Sequence, residues 1–524
     1  MTRDEEIVKK LIKENPRNYK ELSAVKRIIG KTCQSSLPSN RHLLELYHNY
    51  LKKEKIKKNE QLEYLLRIRK IRSLSGIAVI TIATKPFSCP GKCLYCPNQK
   101  KMPKSYLKNE PAIMRALRNN FDPYRQAEER IISLEKNGHP VDKIELIIIG
   151  GTWSYLPYQY RAWFIKRAFD ACNQKTASSL LESQKLNEKA KHRIIGITVE
   201  TRPDFITEKE IIKLRKLGIT RVELGVQSVY DEILKLNQRG HNVETSIKAT
   251  KLLKDAGFKV CYHIMPNLPG ATPEKDLKMF KILFEKQEFK PDLLKIYPTV
   301  VLKEAPLYQW QKKGIYKTYS DKNLKDLLKK IILSLPYYCR LQRMIRDIPA
   351  PSITTGSKIS NLREIIEKEI RKEKLKIWEI RFREVKENYN PLEKIYLFRQ
   401  DYPASEGKEI FLSFENKKRT KLYSLLRLRI PSYVLEKKRF FIRALENSAL
   451  IREVHTYGQL VPLSKQKLAP QHRGLGKKLI KETEKIAKKE FGLKKIAVIS
   501  GVGVRAYYRK LGYRLEETYM IKKL

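Results

Sequence analysis

"GIAVITIATKPFSCPGKCLYCPN", residues 76–98, joins two unlike patterns. Its first half is an unbroken run of Val, Ile, Ala and Thr, the composition of a strand buried on both faces. Its second half crowds Cys89, Cys93 and Cys96 into eight residues of a chain that has seven cysteines. The C-x3-C-x2-C spacing offers three thiolates and no fourth. Three thiolates can hold three irons of a [4Fe–4S] cluster and leave the fourth iron open to another ligand. A zinc knuckle is the alternative, and it needs Cys33 or a distant His to complete the shell.

Outward from this stretch, apolar strand runs recur at "IELIIIGG" (144–151), "IIGITVET" (194–201), "RVELGVQS" (221–228), "KVCYHIMP" (259–266) and "LLKIYPT" (293–299). Helical patterns such as "EKEIIKLRKLG" separate them. Strands alternating with helices predict parallel βα units and a full or partial barrel, whose chemistry sits where the strands end. The strand ends carry "GGT", "ETRP", "GVQS" and "MPNLPG", all small, polar or turn-forming. Cys33, Cys172, Cys261 and Cys339 are scattered and read as small buried apolar residues.

The 524-residue length predicts roughly three domains. No apolar run is long enough to span a bilayer, and the charged start "MTRDEEIVKK" lacks a signal peptide's apolar core. The expected setting is the cytoplasm, where clustered cysteines bind metal rather than pair. The 109 Lys and Arg against 57 Asp and Glu leave a formal charge of +52. A field of that size favours a large polyanion, and RNA in particular is the expected partner. The basic residues cluster in "LKKEKIKKNEQLEYLLRIRKIR" (51–72), within amphipathic helices broken at "GKTCQSSLPSN".

From about residue 408 the pattern changes to antiparallel candidates: "EIFLSFE", "YSLLRLRI", "FFIRALE" and "ALIREVHTYGQLV". "QHRGLGKKLI" then presents Gln471, Gly474 and Gly476 in a Q-x-x-G-x-G loop opening a helix. Such a loop lets backbone N–H groups and the helix dipole neutralise a pyrophosphate. The expected divisions are a basic helical RNA-binding region (1–72), a barrel (73–325), a linker or barrel extension (326–400) and a C-terminal domain (401–524).

The cysteine loop behind the first strand of a βα series resembles the radical S-adenosylmethionine (SAM) superfamily. There the open iron is chelated by SAM and an electron passed into the sulfonium releases a 5′-deoxyadenosyl radical. Gly150, Gly151 and Thr152 sit where that family contacts the SAM amino group. The glycine loop with "AVISGVGVRAYYRKLGY" resembles the acetyl-CoA-binding core of GNAT acetyltransferases. Tyr507 and Tyr508 would lie near the thioester, where a phenol can donate to the carbonyl oxygen or departing thiolate. Core packing is the competing account, more so for Tyr507. The fold class is therefore α/β: a partial (β/α)6 radical SAM barrel followed by an α+β GNAT domain, with the basic helical region in front.

The pairing of these two domains, with "KSYLKNEPAIMRALRNNFDPY", "ELGVQSVYDEILKLNQRGH" and "RDIPAPSITTGSKISNLRE", resembles the catalytic subunit of Elongator, the tRNA uridine(34) acetyltransferase family. The resemblance implies tRNA (the anticodon stem-loop and its wobble uridine), acetyl-CoA, SAM and one [4Fe–4S] cluster. It also implies a carboxymethyl-type group built at C5 of that uridine, the radical taking a hydrogen from the acetyl methyl. The acetyl-CoA contacts it carries over are Lys143, Glu453, Val454, His455, Thr456, Leu475, Gly476, Lys477 and Tyr508, with Lys143 reaching across from the barrel. Whether the chain works as a homodimer or with other Elongator-type subunits stays open. Ile377 stands where some members have a zinc-binding cysteine, so no zinc is expected. The competing function is a protein lysine acetyltransferase with a structural cluster, using Glu453 or His455 as base. A non-enzymatic RNA-binding scaffold is a third reading.

Overall fold

The computed structural model describes residues 3–32, 38–54, 57–68, 76–386, 390, 392–458 and 474–524. Cys33, Gln471 and the 72/73 boundary lie outside them. Four helices open the chain: α1 (Arg3–Glu14), α2 (Tyr19–Thr32), α3 (Asn40–Glu54) and α4 (Glu60–Leu66). Their apolar stripes meet around Leu11, Leu22, Ile29, Leu43, Tyr47 and Leu62. Asn59 caps α4 by accepting from the N–H groups of Gln61 and Leu62. Lys13, Lys20, Lys52 and Lys53 remain exposed. Arg67 Nε donates to the Gly138 carbonyl at 2.6 Å, tying this small bundle to the turn that precedes the second barrel strand.

The sixteen strands of the described residues fall in three sheets. In chain order they are β1 (Ala78–Ala83), β2 (Lys143–Ile149), β3 (Arg193–Thr201), β4 (Arg221–Gln227), β5 (Lys259–Ile264), β6 (Leu293–Ile296), β7 (Val301–Leu302), β8 (Arg340–Arg343) and β9 (Ile353–Thr355), then β10 (Ile395–Ala404), β11 (Gly407–Asn416), β12 (Leu422–Ile430), β13 (Ser448–Thr456), β14 (Lys495–Val498), β15 (Arg514–Glu516) and β16 (Tyr519–Lys523).

The first sheet runs β1-β2-β3-β4-β5-β6-β8, parallel throughout, a curled half-barrel. Six strands stand where the apolar runs predict them. The seventh, "RLQR", falls in the segment expected as linker, and four residues of mixed polarity carry no strand signature of their own. Strand alternation sorts each strand into two faces. Ile80, Ile82, Ile144, Leu146, Ile148, Val199, Val222, Leu224, Val260, Tyr262 and Leu294 pack under the outer helices in one large core. Their neighbours Glu145, Glu200, Arg221, Glu223, Lys259, His263 and Lys295 therefore line the concave face. That face is unusually rich in charge.

The second sheet runs β10-β11-β12-β13-β14-β16-β15. All its pairs are antiparallel except β13 with β14. The helix Leu475–Phe491 covers one face through Leu479, Ile480, Ile486 and Ala487. Two expectations fail here. "FFIRALE" contains a 3-10 turn, Arg443–Leu445, because it bends back to deliver β13 rather than adding a strand. The sheet instead gains β10, which begins before residue 401. As an edge strand it keeps Arg399 exposed enough to pair with Asp401 and Glu490, and those charges conceal its alternation.

The second domain closes the end of the barrel from which the strands start. Arg452 reaches the Phe258 carbonyl at 2.6 Å and Asp292 at 2.9 Å, both just ahead of a barrel strand. Arg427 donates to the Tyr338 carbonyl at 2.7 Å, Arg429 to Asp255 at 2.9 Å, and Tyr519 Oη to the Ala256 carbonyl at 2.8 Å. Gly501 packs so tightly on β3 that a β-carbon there would stand 2.0 Å from the Ile195 carbonyl oxygen. An arginine-rich, almost fully buried seam results.

Candidate functional site at the two ends of the barrel face

The cysteine loop leaves β1 at the opposite end of the sheet. Cys89 and Cys93 flank Gly91, where a β-carbon would lie 3.6 Å from each sulfur. Cys89 Sγ is 3.8 Å from Thr152 Oγ1, which brings the "GGT" turn against the loop. Arg239 Nη1 donates to Cys93 Sγ at 3.4 Å. Burial, reinforced by Cys93, pushes the Cys96 thiol up to about 11. These sulfurs, with an arginine beside them, have the donor chemistry a cluster takes from cysteine.

The turn itself is shaped by glycine. Gly150 has φ +138°, and a β-carbon on it would stand 2.0 Å from Thr84 Oγ1. Its N–H and that of Gly151 both donate to Glu200 Oε1 at 3.0 Å, while the Tyr106 hydroxyl donates to the same carboxylate at 2.8 Å. One strand over, Glu223 accepts from His263 Nε2 at 2.8 Å and from Lys295 Nζ. Burial alone would raise the Glu223 carboxyl, but Lys295, His263 and Arg221 outweigh it and hold it well below the usual range. A carboxylate of Glu200, one of Glu223 and a nitrogen of His263 lie within 4.8 Å of one another. This cluster can hold an amine, a sulfonium or a ribose hydroxyl; Lys295 already supplies the cation that a metal would.

A family model described as Radical SAM superfamily matches residues 85–283, and one described as Radical_SAM C-terminal domain matches residues 291–372. The tRNA uridine(34) acetyltransferase of Methanocaldococcus jannaschii is 48% identical over 474 residues, 88% of this chain and 87% of that protein. Elongator complex protein 3 of Schizosaccharomyces pombe is 40% identical over 99% of this chain and 97% of its own length. The solved archaeal Methanocaldococcus infernus Elp3 with an N-terminal deletion superposes with a TM-score of 0.75 at 44% identity, covering 86% of this chain and all of that one. The chain belongs to the tRNA uridine(34) acetyltransferase family. Its radical SAM half implies a [4Fe–4S] cluster and SAM, and Cys89, Cys93 and Cys96 fit that group.

The second half of this family member supplies a different opening. β13 and β14 pair only over Ser448–Ile451 and Lys495–Val498, so Glu453–Thr456 splay away from β14. Gly474, at φ +68°, starts the helix Leu475–Phe491. A β-carbon on Gly476 would lie 3.6 Å from Thr456 Oγ1 and 3.7 Å from both Val454 Cγ1 and Tyr507 Oη. Helix N-terminus, splayed strand and Tyr507 thus enclose one slot. Lys477 is exposed at its rim, and Leu475 is buried with Val385 and Tyr423. Tyr508 is 7% exposed, and its ring packs into the sheet-and-helix core, edge-on to Tyr507 at 5.2 Å. The hydroxyl brought to the glycine is that of Tyr507. Replacing Gly476 by valine fills the slot. We expect KM for acetyl-CoA to rise at least tenfold, ~1.4 kcal/mol or more, while iron content stays normal, checked by steady-state kinetics and iron assay.

The other face of the splayed segment looks into the barrel. Glu453 pairs with Lys259 at 3.1 Å and with Arg427 at 2.8 Å, while Arg221 pairs with Glu145 at 2.5 Å. Burial would raise Glu453, but Lys259 and Arg427 hold it well below the carboxylate range. Burial pushes His455 down to about 4, and its Nε2 has no hydrogen-bond partner among the described residues. A chain whose folded His455 binds a proton only near pH 4 loses stability as pH falls from about 6.5, where the unfolded imidazole begins to charge. The loss approaches ~1.4 kcal/mol per pH unit. Thermal unfolding of wild type against His455→Gln between pH 6.5 and 4.5 checks this: wild type should fall more steeply than the variant, which keeps the contribution of His241, pushed down by burial to about 3.

Lys143 begins β2 and is paired in register with Arg193, against which Gly503 of the second domain packs. It therefore lies at the end closed by the second domain, whereas Gly150 lies at the cysteine end. Seven residues at about 3.3 Å each separate the two ends by roughly 20 Å. Ile377 is buried in the barrel core. Sequence reading missed Glu200, Glu223, His263, Lys295, Arg202 and Arg239. For Glu223 the signal was present as charge at two alternate positions, Arg221 and Glu223, of "RVELGVQ".

Proposed function

We propose that this chain is a tRNA-modifying enzyme that uses acetyl-CoA and a SAM-derived radical to install a carboxymethyl-type group at C5 of the wobble uridine. The observation that carries this reading is the single ionisable barrel face, with the cysteine loop and Glu200 at one end and the splayed Glu453–Thr456 segment at the other. The similarity to tRNA uridine(34) acetyltransferases supports tRNA as substrate.

In this reading Cys89, Cys93 and Cys96 hold the cluster, which when bound with SAM supplies a one-electron reduction of the sulfonium and a carbon radical. Gly150, Gly151, Thr152 and Glu200 orient the amino acid part of SAM. Gly474 and Gly476 admit the pyrophosphate of acetyl-CoA at the start of their helix. Tyr507 donates to the thioester, and Tyr508 and Leu475 fix the walls behind it. Glu453, Lys259 and Arg427 close the lower mouth of the barrel to water, while neutral His455 can accept a proton there. Because the ends stand roughly 20 Å apart, the acetyl group travels along the concave face to meet the base. The exposed lysines of α1–α3 receive tRNA phosphates. Among the described residues the barrel covers the Glu453 side of the splay, where the lysine acetyltransferase reading needs an open peptide groove.

The test is anaerobic reconstitution with iron and sulfide, addition of SAM, acetyl-CoA, reductant and tRNA, and mass spectrometry of digested nucleosides. A uridine gaining the mass of a carboxymethyl group is expected. Acetylated peptide with unmodified tRNA would favour the lysine acetyltransferase instead.

A further inference from the structure

We propose that Arg202 and Arg239 are the hydrogen-bond donors to the cluster held by the cysteine loop, and that they set its reduction potential. This rests on the cluster reading above. Arg202 is 5% exposed, and its Nε and Nη2 fork onto Asp204 at 2.9 and 2.8 Å. The remaining nitrogen, Nη1, is sealed from solvent and has no partner among the described residues. An unsatisfied buried donor is destabilising, more so when charged, so its retention beside a cofactor loop points to an acceptor outside the polypeptide.

The placement names that acceptor. A β-carbon on Gly91 would stand 2.4 Å from Arg202 Nη1 and 3.6 Å from the sulfurs of both Cys89 and Cys93. On its other side Arg202 Nη2 is 3.0 Å from the corresponding position of Gly240, at φ +77°. The guanidinium is thus wedged between two glycines, with its free N–H at the hollow the cysteines enclose. Arg239 approaches separately. Its Nε and Nη2 donate to the Gly225 carbonyl at 3.2 and 2.6 Å, which aims Nη1 at Cys93 Sγ. Gly225 is again required, because a β-carbon there would be 2.5 Å from Arg239 Nη2. Two anchored cations donating to sulfur stabilise the more negative, reduced cluster and raise its potential.

The experiment is a potentiometric EPR titration of the reconstituted holoprotein, without SAM, for wild type, Arg202→Met, Arg202→Lys and Arg239→Met. Each methionine variant is expected to retain four irons and to lower the reduced-to-oxidised ratio at fixed potential about tenfold, ~59 mV for a one-electron couple. Arg202→Lys should restore part of the shift. Pulsed EPR of the reduced wild-type cluster, with 15N-labelled arginine, covers variants that fail to assemble, and should show a nitrogen coupling. A normal wild-type cluster with no arginine coupling and unshifted variants would overturn the arginine assignment alone. Wild-type protein that assembles no four-iron cluster would overturn the reading beneath it as well.

Discussion

Changing any one of Cys89, Cys93 or Cys96 to alanine is expected to empty the protein of iron and to abolish 5′-deoxyadenosine formation. The fall should be on the order of a thousandfold or more, ~4 kcal/mol. In the proposed reading each sulfur answers for one iron, and the other described cysteines lie outside the loop. Cys172, Cys261 and Cys339 are buried elsewhere, and burial raises all three thiols, Cys172 to about 12. Among the described residues none of these thiols is therefore suited to repair the loss of a thiolate. Acetyl-CoA binding should survive, because Gly476, Thr456 and Tyr507 belong to the other domain and the far end of the barrel. Iron content, nucleoside chromatography and acetyl-CoA titration on the same preparation separate these outcomes. Variants that lose acetyl-CoA binding in parallel with iron would mean that the cysteine loop supports the whole fold.

The second large effect is structural. Asp292 sits at the middle of the domain seam with Arg452, Arg427 and the Val260 N–H on its two oxygens. Burial would raise its carboxyl, but Arg452, Arg427 and Lys254 hold it below the usual range. Removing this carboxylate takes a shared charge partner from two arginines, leaving Arg427 with Glu453 alone and Arg452 with Glu409 alone, in a seam where both are essentially unexposed. Asp292→Ala is expected to cost about 3–5 kcal/mol, seen as a lowered, broadened calorimetric transition as the domains separate. Asp292→Leu with Arg452→Met should recover part of that loss, though not all, because the Val260 N–H remains unserved and Arg427 keeps only Glu453 as a charge partner. A loss below about 1 kcal/mol would show that water reaches the seam and that these charges are solvated.

Much of the barrel was legible because its strands obey one rule. Parallel strands covered on one side by helices need Val, Ile and Leu at alternate positions, and "IELIIIGG" and "RVELGVQS" carry that pattern openly. The cysteine spacing was legible because it is local. β8 and β10 were not, since one is four residues long and the other is an edge whose polar face belongs to solvent. "FFIRALE" misled because aromatic residues that fill a turn look like residues that fill a sheet. The site was legible only in its contiguous pieces. Glu200, Glu223, His263 and Lys295 come from four strands, and their meeting depends on register, which no linear spacing expresses. The two tyrosines show the same limit. Adjacent residues on a short helix point apart, so Tyr507 faces the glycine slot and Tyr508 the core. Nor could spacing reveal that Lys143 and Gly150, one strand apart in sequence, serve opposite ends of the barrel.

The central claim is that the acetyl group bound by the second domain meets the radical made at the cysteine end, along one barrel face. Its most direct measurement uses acetyl-CoA deuterated in the acetyl methyl, incubated anaerobically with the reconstituted enzyme, SAM, reductant and tRNA. The predicted result is 5′-deoxyadenosine carrying one deuterium, formed alongside the modified uridine. Modified uridine accompanied by 5′-deoxyadenosine free of deuterium would contradict it.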